Sequence, residues 1–149
     1  MFRKSWVVVL LSALSSCGSV DSDGGVASGP LGQKPLMTPE VQRATQAGIA
    51  ACLDVKTMGA PLSQLEALGF VPWRGGYRAA IDNPLIFAGD SSVSVHVDRR
   101  NDCRVKTAPI FPVELQTLQS ITAGALAGRG AGLDVWFVRS GDGYEVVLK

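Results

Sequence analysis

The first clear periodicity along the chain is helical and begins at residue 38. Thr38 can serve as an N-cap and Pro39 as the first helical residue, because proline lacks an N–H that a helix start leaves unpaired. Small and apolar residues then recur three or four positions apart: Val41, Ala44, Gly48, Cys52 and Val55. This spacing predicts an amphipathic helix that ends at Gly59 and buries one of its faces.

Two further helices are predicted from similar signals. Pro61 opens the segment PLSQLEALGF, and Gly69 ends it as a left-handed cap, so that Phe70 packs back on the helix. The buried stripe of this segment would be Leu62, Leu65 and Leu68. Pro112 opens a third helix, whose apolar stripe is Leu115, Leu118, Ile121, Thr122 and Ala125.

Most of the remaining chain has the two-residue periodicity of β-strands. The clearest case is SVSVHVD at 92–98, which places three valines on one face and Ser94, His96 and Asp98 on the other. Further strands are predicted at 71–73, 77–81, 85–88, 103–107, 133–140 and 144–149. Turn signals, among them Arg74-Gly75-Gly76 and Gly141-Asp142-Gly143, join several of these strands into hairpins.

Together these elements predict a single α+β domain over residues 38–149. Strands joined by hairpins form antiparallel sheets, and such a sheet buries one face under helices. We therefore expect an antiparallel sheet of five to six strands, packed on one face by two to three helices.

The first sixteen residues have the pattern of an export signal. Arg3 and Lys4 precede an apolar run of nine residues, Trp6 to Leu14. A membrane-spanning helix needs about 20 apolar residues, so this run is too short to cross a bilayer.

The end of this signal, Leu14-Ser15-Ser16-Cys17, resembles the lipobox of bacterial lipoprotein precursors. The resemblance covers only residues 1–17. It implies cleavage before Cys17, a diacylglyceryl group on the Cys17 sulfur and acylation, such as palmitate, of the new amino group. Gly18 lacks the aspartate that often retains such proteins at the inner membrane, so the resemblance favours an outer-membrane anchor that faces the periplasm. An ordinary secretory signal, cleaved near residues 13–15 or later and with Cys17 incidental, is the alternative.

The residues after Cys17 read as a tether. Residues 18–37 are rich in glycine, serine, aspartate and proline and show no periodicity, which is typical of a flexible linker. Asp21 and Asp23 resemble the start of a calcium loop, but its other ligands are missing. We interpret 17–37 as the lipidated cysteine and a linker to the domain.

Lipidation of Cys17 would leave two of the three cysteines of the chain, Cys52 and Cys103. An even pair in an oxidising compartment predicts a disulfide, with two separate buried thiols as the alternative. No Cys-x-x-Cys sequence is present, which argues against a redox motif.

Charge and composition exclude several classes of function. Fourteen basic residues face thirteen acidic ones, and loss of the signal would remove two of the basic residues, Arg3 and Lys4. Such a balance provides no broad positive field for nucleic acid. The single histidine, His96, limits metal sites and histidine-based catalysis. We expect no nucleic-acid partner and no cofactor.

The candidate binding residues lie on and beside the strand at 92–98. His96 and Asp98 share its polar face, and Arg99 and Arg100 form the following turn. With the basic residues of the next strand they predict a mildly basic surface, which is either simply solvated or contacts an acidic protein or glycan. A metal site of His96, Asp98 and Asp102 would lack a fourth protein ligand.

The aromatic residues Trp73, Tyr77 and Trp136 are candidates for a peptide or sugar groove, since aromatic side chains often anchor interfaces. Trp136 is out of phase with the apolar residues of its strand. Either both faces of that strand are covered, which we favour, or Trp136 is exposed for binding.

No convincing catalytic motif is present. GRGAG at 128–132 follows a predicted helix and precedes a strand, the reverse of the order in a phosphate-binding loop. No Gly-x-Ser-x-Gly elbow accompanies His96 and Asp98. We therefore expect a non-enzymatic, membrane-anchored binding or scaffolding domain. The alternatives are a small periplasmic hydrolase or an enzyme-inhibitor domain with a site near His96.

Overall fold

The computed structural model of the chain describes residues 34–81 and 91–149. Three predictions fall outside these ranges: the export signal with Cys17, the tether up to residue 33 and the strand at 85–88. None of the helices in the two described ranges combines the length and the apolar character that crossing a membrane requires.

The elements follow one another in the predicted order. They are α1 (Pro39–Met58), a 3-10 helix (Leu62–Leu68), β1 (Val71–Trp73), β2 (Gly76–Ala80), β3 (Ser92–Val97), β4 (Cys103–Lys106), a 3-10 turn (Pro112–Glu114), α2 (Leu115–Leu126), β5 (Val135–Ser140) and β6 (Gly143–Leu148).

The six strands form one antiparallel sheet in the order β1-β2-β3-β4-β6-β5. Three of the neighbouring pairs, β1–β2, β3–β4 and β5–β6, are hairpins, as the turn signals predicted. β6 lies between β4 and β5, because the chain leaves the sheet through α2 and returns by its outer edge. The predicted α+β fold is confirmed.

The two faces of the sheet differ sharply. Val95, Val105 and Val146 lie in register on the face that packs against α1, and all three are fully buried. Residues of the opposite parity point to the other face, which we call the open face. On it lie Arg78, Ser92, Ser94, His96, Arg104, Lys106, Glu145, Val147, Trp136 and Val138.

Helix α1 begins and ends as its sequence predicts. The Val41 N–H donates to Thr38 Oγ1 at 3.4 Å, and Gly59 ends the helix with a φ of 65°. A Cβ on Gly48 would lie 2.8 Å from Cγ2 of Val95, so glycine allows α1 to approach the sheet closely.

One turn beyond Gly48, Cys52 is joined to Cys103 of β4 by a disulfide, with a Cα–Cα distance of 5.5 Å. Both cysteines are fully buried. The predicted disulfide is confirmed, and it ties α1 to the centre of the sheet.

The segment after α1 differs from its prediction in one residue. Leu65 is fully buried, but Leu68 is 62% exposed. The chain reverses at Gly69, and the Phe70 N–H donates to the Leu65 carbonyl at 3.2 Å. Phe70 is therefore brought back into the core, as predicted, whereas the predicted burial of Leu68 was wrong.

The β5–β6 hairpin lies where predicted, and Gly141 makes its turn. Gly141 has a φ of 59° at the first central position, which is the position glycine takes in a type II′ turn. Gly143 instead begins β6, where an added Cβ would lie 2.9 Å from the Ala108 carbonyl oxygen. It is required for close approach to the chain that follows β4.

Candidate functional site

A cavity of about 1120 Å³ lies on the open face of the sheet. Its floor includes Ser92, Ser94, His96 and Lys106 of β3 and β4. The β1–β2 hairpin borders it on one side and the β5–β6 turn on another. Lys34, Leu36 and the apolar chain at 109–112 complete the described lining. We call this site the cationic cavity, because four basic side chains line it.

The loop between β4 and the 3-10 turn is fixed to the β5–β6 turn. The Thr107 N–H donates to the Tyr144 carbonyl at 2.8 Å, and the Tyr144 N–H donates to Thr107 Oγ1 at 3.0 Å. The Ile110 N–H donates to the Asp142 carbonyl at 3.0 Å. These bonds hold two walls of the cavity in a fixed relation, which reduces the ordering cost of binding a ligand.

A buried carboxylate positions a third wall. Glu114 is fully buried, and its Oε1 accepts a hydrogen bond from the Met37 N–H at 2.8 Å. Its Oε2 accepts another from the Phe111 N–H at 2.7 Å. Glu114 thus joins the entry of the chain into the domain, beside Leu36, to the loop at 109–112.

Basic side chains dominate the charge of the cavity. Four cations, Lys34, Arg74, Lys106 and Arg139, line it together with one carboxylate, Asp142. All four cations are exposed, and none forms a salt bridge with a residue in the described ranges. The site therefore has an excess of uncompensated positive charge and favours an anionic ligand.

The rim at the β1–β2 hairpin pairs an aromatic ring with a cation. The guanidinium of Arg74 lies 4.5 Å from the centroid of the Trp73 ring. Arg74 has a φ of 48°, a left-handed conformation that is costly for a residue with a Cβ and is usual for asparagine or glycine. Backbone strain of this kind is often found at binding sites.

We predict that Arg74→Asn changes stability and binding in opposite directions. Asparagine tolerates the left-handed conformation, so the free energy of unfolding should rise by about 0.5–1 kcal/mol. Affinity for an anionic ligand should fall, because the rim cation is lost. Urea unfolding and ligand titration measure the two effects. Loss of stability, or unchanged affinity, would contradict this role for Arg74.

Arg104, by contrast, contributes little free charge to the open face. Its Nε donates to Asp98 Oδ2 at 2.9 Å, and its NH1 group donates to Glu145 Oε2 at 3.2 Å. The bond from Arg104, helped by the N–H groups of Asp102 and Arg100, lowers the pKa of Asp98. The Asp98 bond, with that to Glu145, raises the pKa of Arg104. The two acids neutralise this arginine.

This ion pair predicts an acid-sensitive contribution to stability. Because the pKa of Asp98 is lower in the folded protein than in the unfolded one, its ion pair stabilises the fold above the unfolded pKa of about 4. This stabilisation is lost as the pH falls through the pKa of the folded state. The Asp98→Asn protein should therefore lose less stability than the wild type as the pH falls from about 5 to about 2. Urea midpoints at each pH measure this. Parallel acid profiles for the two proteins would contradict the pairing.

The structure separates the binding residues predicted from sequence. His96 lines the cavity, but Asp98, Arg99, Arg100 and Trp136 are not among its described lining residues. Both oxygens of Asp98 hold the β3–β4 turn: Oδ1 accepts from the N–H groups of Arg100 and Asp102, and Oδ2 from Arg104. Arg99 and Arg100 are exposed at that turn.

Trp136 is not covered, contrary to our expectation. Its side chain is 54% exposed on the open face, and Lys149 Nζ lies 4.5 Å from its ring centroid. Opposite it on β6, Val147 is only 2% exposed. The helices pack against the other face, so Trp136, which is out of phase with the partly buried residues of β5, lies on the open face. Of the predicted aromatic groove, Trp73 and Tyr77 line the cavity.

The described residues show no assembled catalytic or metal centre. No hydrogen bond joins His96 to a serine or carboxylate in the ranges 34–81 and 91–149, and these ranges hold no metal-binding group of three His, Cys, Asp or Glu side chains. The glycines at 128–132 follow α2 and precede β5, as predicted, and Arg129 forms an ion pair with Asp54 of α1.

Sequence reasoning missed most of the basic residues of the cavity. Lys34, Arg74 and Arg139 lie far apart in sequence and beside turns, where an exposed cation is unremarkable. A usable local signal existed at Arg74, because an arginine before Gly75 occupies a turn position that asparagine fills at lower cost. Nothing local identifies Lys34 or Arg139.

Comparison of the chain with protein families, curated proteins and solved structures finds no match in any of the three. The case for a function therefore depends on the geometry and charge of the cationic cavity.

Proposed function

We propose that this chain is an exported lipoprotein whose folded domain binds an anionic component of the cell envelope without catalysing a reaction. The observation that carries the proposal is the cationic cavity, where four exposed cations, none of them in a salt bridge with a described residue, and one carboxylate line a concave surface. Anchoring through lipidated Cys17 follows from the lipobox resemblance and would hold the domain at the membrane.

The size and lining of the cavity indicate the kind of ligand. Pockets for small molecules usually have volumes of roughly 300–1,000 Å³, so a cavity of about 1120 Å³ suits a segment of a longer chain. Cations at Arg74, Lys106 and Arg139 suit carboxylate or phosphate groups spaced along that segment. The Trp73 ring and the apolar chain at 109–112 suit sugar rings or apolar side chains between the charges.

Charge reversal at one cavity residue, with a matched control, tests the binding proposal. Arg139→Glu should weaken binding of trigalacturonate, an acidic oligosaccharide, by roughly tenfold or more, which corresponds to one lost charged hydrogen bond. Arg99→Glu is the control, because Arg99 is also exposed but lies outside the described lining of the cavity. The affinity of the wild type should also fall as salt rises.

Equal effects of the two reversals, or no binding of any anion by the wild type, would overturn the proposal. The methyl ester of trigalacturonate keeps the sugar rings without the charge, and it should bind much more weakly. An oligoglutamate of equal charge distinguishes an acidic glycan from an acidic peptide as the preferred ligand class.

The anchoring part of the proposal has a separate test. Mass spectrometry of the mature N-terminus should find a diacylglyceryl group on Cys17, and Cys17→Ser should move the protein from the membrane fraction to the soluble fraction. One lipid chain binds membranes only marginally, so firm attachment requires at least the two chains of the diacylglyceryl group. An unmodified Cys17 thiol would contradict this part while leaving the binding proposal intact.

A hydrolase is the rival function, because His96 lies in the cavity beside Ser94. A general base must lie within hydrogen-bond reach of the group it activates, and catalytic bonds can tighten when substrate binds. Full activity of the His96→Ala protein in a cell whose phenotype depends on this gene would reject the hydrolase. Loss of function in that variant with unchanged ligand affinity would support it.

A further inference from the structure

The chain enters the domain along the wall of the cationic cavity. Lys34 lines the cavity, and Met37, three residues later, is fully buried. The Met37 N–H donates to Glu114 Oε1 at 2.8 Å, and the Met37 carbonyl accepts from Gln42 Nε2 at 3.0 Å. These bonds fix the residues that follow 18–33, so this preceding stretch joins the domain at the cavity itself.

Residues 18–33, which we call the acidic segment, have the charge that the cavity attracts. Their sequence, GSVDSDGGVASGPLGQ, contains two acidic residues, Asp21 and Asp23, and no basic residue. The described lining of the cavity has four cations and one carboxylate, an excess of three positive charges. Two carboxylates would neutralise most of this excess.

The acidic segment is long enough to reach the cavity. Eleven positions separate Asp23 from Lys34, and five of the sixteen residues of the segment are glycine. A glycine-rich chain of eleven residues has a root-mean-square span of about 17–20 Å, which exceeds the roughly 13 Å diameter of a sphere with the volume of the cavity. A covalent link of this length keeps the two aspartates at an effective concentration in the millimolar range.

We propose that the acidic segment of this chain occupies the cationic cavity when no external anion is bound. Asp21 and Asp23 contact the cations of the lining, and an external anion binds only after it displaces them. This regulation rests on the proposed function of the cavity. The apparent affinity for the external anion is then reduced by the fraction of time that the cavity is free.

The occupation is reversible because the segment holds the cavity weakly. Ion pairs at exposed sites contribute little individually, and the segment provides only two carboxylates. A ligand with three or more anionic groups, such as trigalacturonate, interacts with more of the cations and displaces the segment. Salt should release the segment as well, since it screens exposed charges.

Displacement would also change how far the domain reaches from the membrane. Asp21 follows Cys17 by only four positions, so an occupied cavity lies within about 13–14 Å of extended chain from a lipid on Cys17. Lys34 follows Cys17 by seventeen positions, which extend to at most about 56–61 Å. With Cys17 anchored as proposed above, ligand binding therefore frees the domain to move away from the membrane.

Paramagnetic NMR of the processed full-length protein tests the occupation directly. A nitroxide attached to Ser22→Cys, between the two aspartates, should broaden the signals of Trp73, Lys106 and Arg139 in the cavity. It should leave Lys56 sharp, because Lys56 lies about 25 Å along α1 from the start of that helix. Excess trigalacturonate should remove the broadening.

The matched control for the label is the same protein with Asp21→Asn and Asp23→Asn. These changes keep the length of the segment and remove its charge, so the broadening in the cavity should largely disappear. Broadening that is equal in the two proteins would overturn the proposal, because it would come from the covalent link alone. Broadening that is absent from the cavity in both proteins would overturn it as well.

Ligand affinity gives an independent measure of the competition. Asp21→Asn with Asp23→Asn should raise the affinity for trigalacturonate at least threefold, which corresponds to a cavity occupied about two-thirds of the time. Glu40→Gln with Asp134→Asn makes the same change in net charge at exposed positions outside the described lining. This control pair should change the affinity by less than about twofold.

The two proposals fail in different ways. Equal affinities of the wild type and the Asp21→Asn, Asp23→Asn protein would overturn occupation by the segment, even where trigalacturonate binds in the cavity. Failure of trigalacturonate and other anions to bind any of the proteins would overturn the proposed function instead. Broadening that still depends on the two aspartates would then support the acidic segment as the occupant of the cavity.

Discussion

Replacing Glu114 by alanine is expected to lower the free energy of unfolding by roughly 3–6 kcal/mol. Two backbone N–H groups, those of Met37 and Phe111, lose a charged acceptor, and each such bond contributes about 1.5–3 kcal/mol. Because Glu114 and Met37 are fully buried, water cannot readily replace the carboxylate. Chemical denaturation of both proteins at neutral pH measures the loss.

Glu114→Gln is the matched control for this prediction. Glutamine keeps the shape and one acceptor oxygen, but its amide nitrogen cannot accept a hydrogen bond. About half of the alanine effect is therefore expected. A loss below about 1 kcal/mol for alanine would show that Glu114 does not hold the two chain segments together. Because those segments border the cationic cavity, ligand affinity should fall in both variants under conditions where they remain folded.

Removal of the disulfide is expected to have an effect of similar size. The bond closes a loop between residues 51 positions apart, and the chain-entropy relation assigns such a loop about 4 kcal/mol. Cys52→Ala combined with Cys103→Ala should lower the free energy of unfolding by that amount, plus a smaller packing term. Denaturation of the double variant beside the oxidised wild type measures the difference.

The reduced wild type is the control for the disulfide, because it keeps both side chains without the bond. It should be nearly as unstable as the double alanine variant. Since both cysteines are fully buried, reduction should require unfolding and proceed slowly under native conditions. A double variant that unfolds at the wild-type midpoint would contradict a structural role for the disulfide.

The elements of this fold were predictable because their signals are local. A cap at Thr38, a left-handed glycine at Gly59 and the alternation at 92–98 each involve only a few neighbouring residues. The disulfide was predictable because Cys52 and Cys103 are the two cysteines that remain when Cys17 is set aside as the proposed lipidation site. The predicted burial of Leu68 was wrong: the chain reverses at Gly69, and Phe70 rather than Leu68 enters the core there.

The site was less predictable because its charge depends on contacts between distant residues. Arg104 and Lys106 are equivalent in the sequence, on the same face of one short strand. In the structure Arg104 is neutralised by Asp98 and Glu145, whereas Lys106 has no acidic partner among the described residues. Glu145 reaches Arg104 only because β6 lies beside β4, which hairpin signals alone do not reveal.

The same strand order explains why the basic site of the structure differs from the basic surface that we predicted. Arg99 and Arg100 remain at the exposed β3–β4 turn, while Arg139 reaches the cavity from the far edge of the sheet. The basic site is therefore a cavity that includes His96. Its lining contains Lys34, Arg74, Lys106 and Arg139, but not Arg99 or Arg100.

Binding of an anionic ligand in the cationic cavity of the open face can be observed residue by residue. Backbone and indole NMR shifts of the labelled protein, followed during titration with trigalacturonate, test this binding most directly. We expect saturable shifts at Trp73, Lys106 and Arg139, and none at the exposed face of α1 around Arg43. Shifts confined to α1, or the same shifts with the neutral methyl ester, would contradict it.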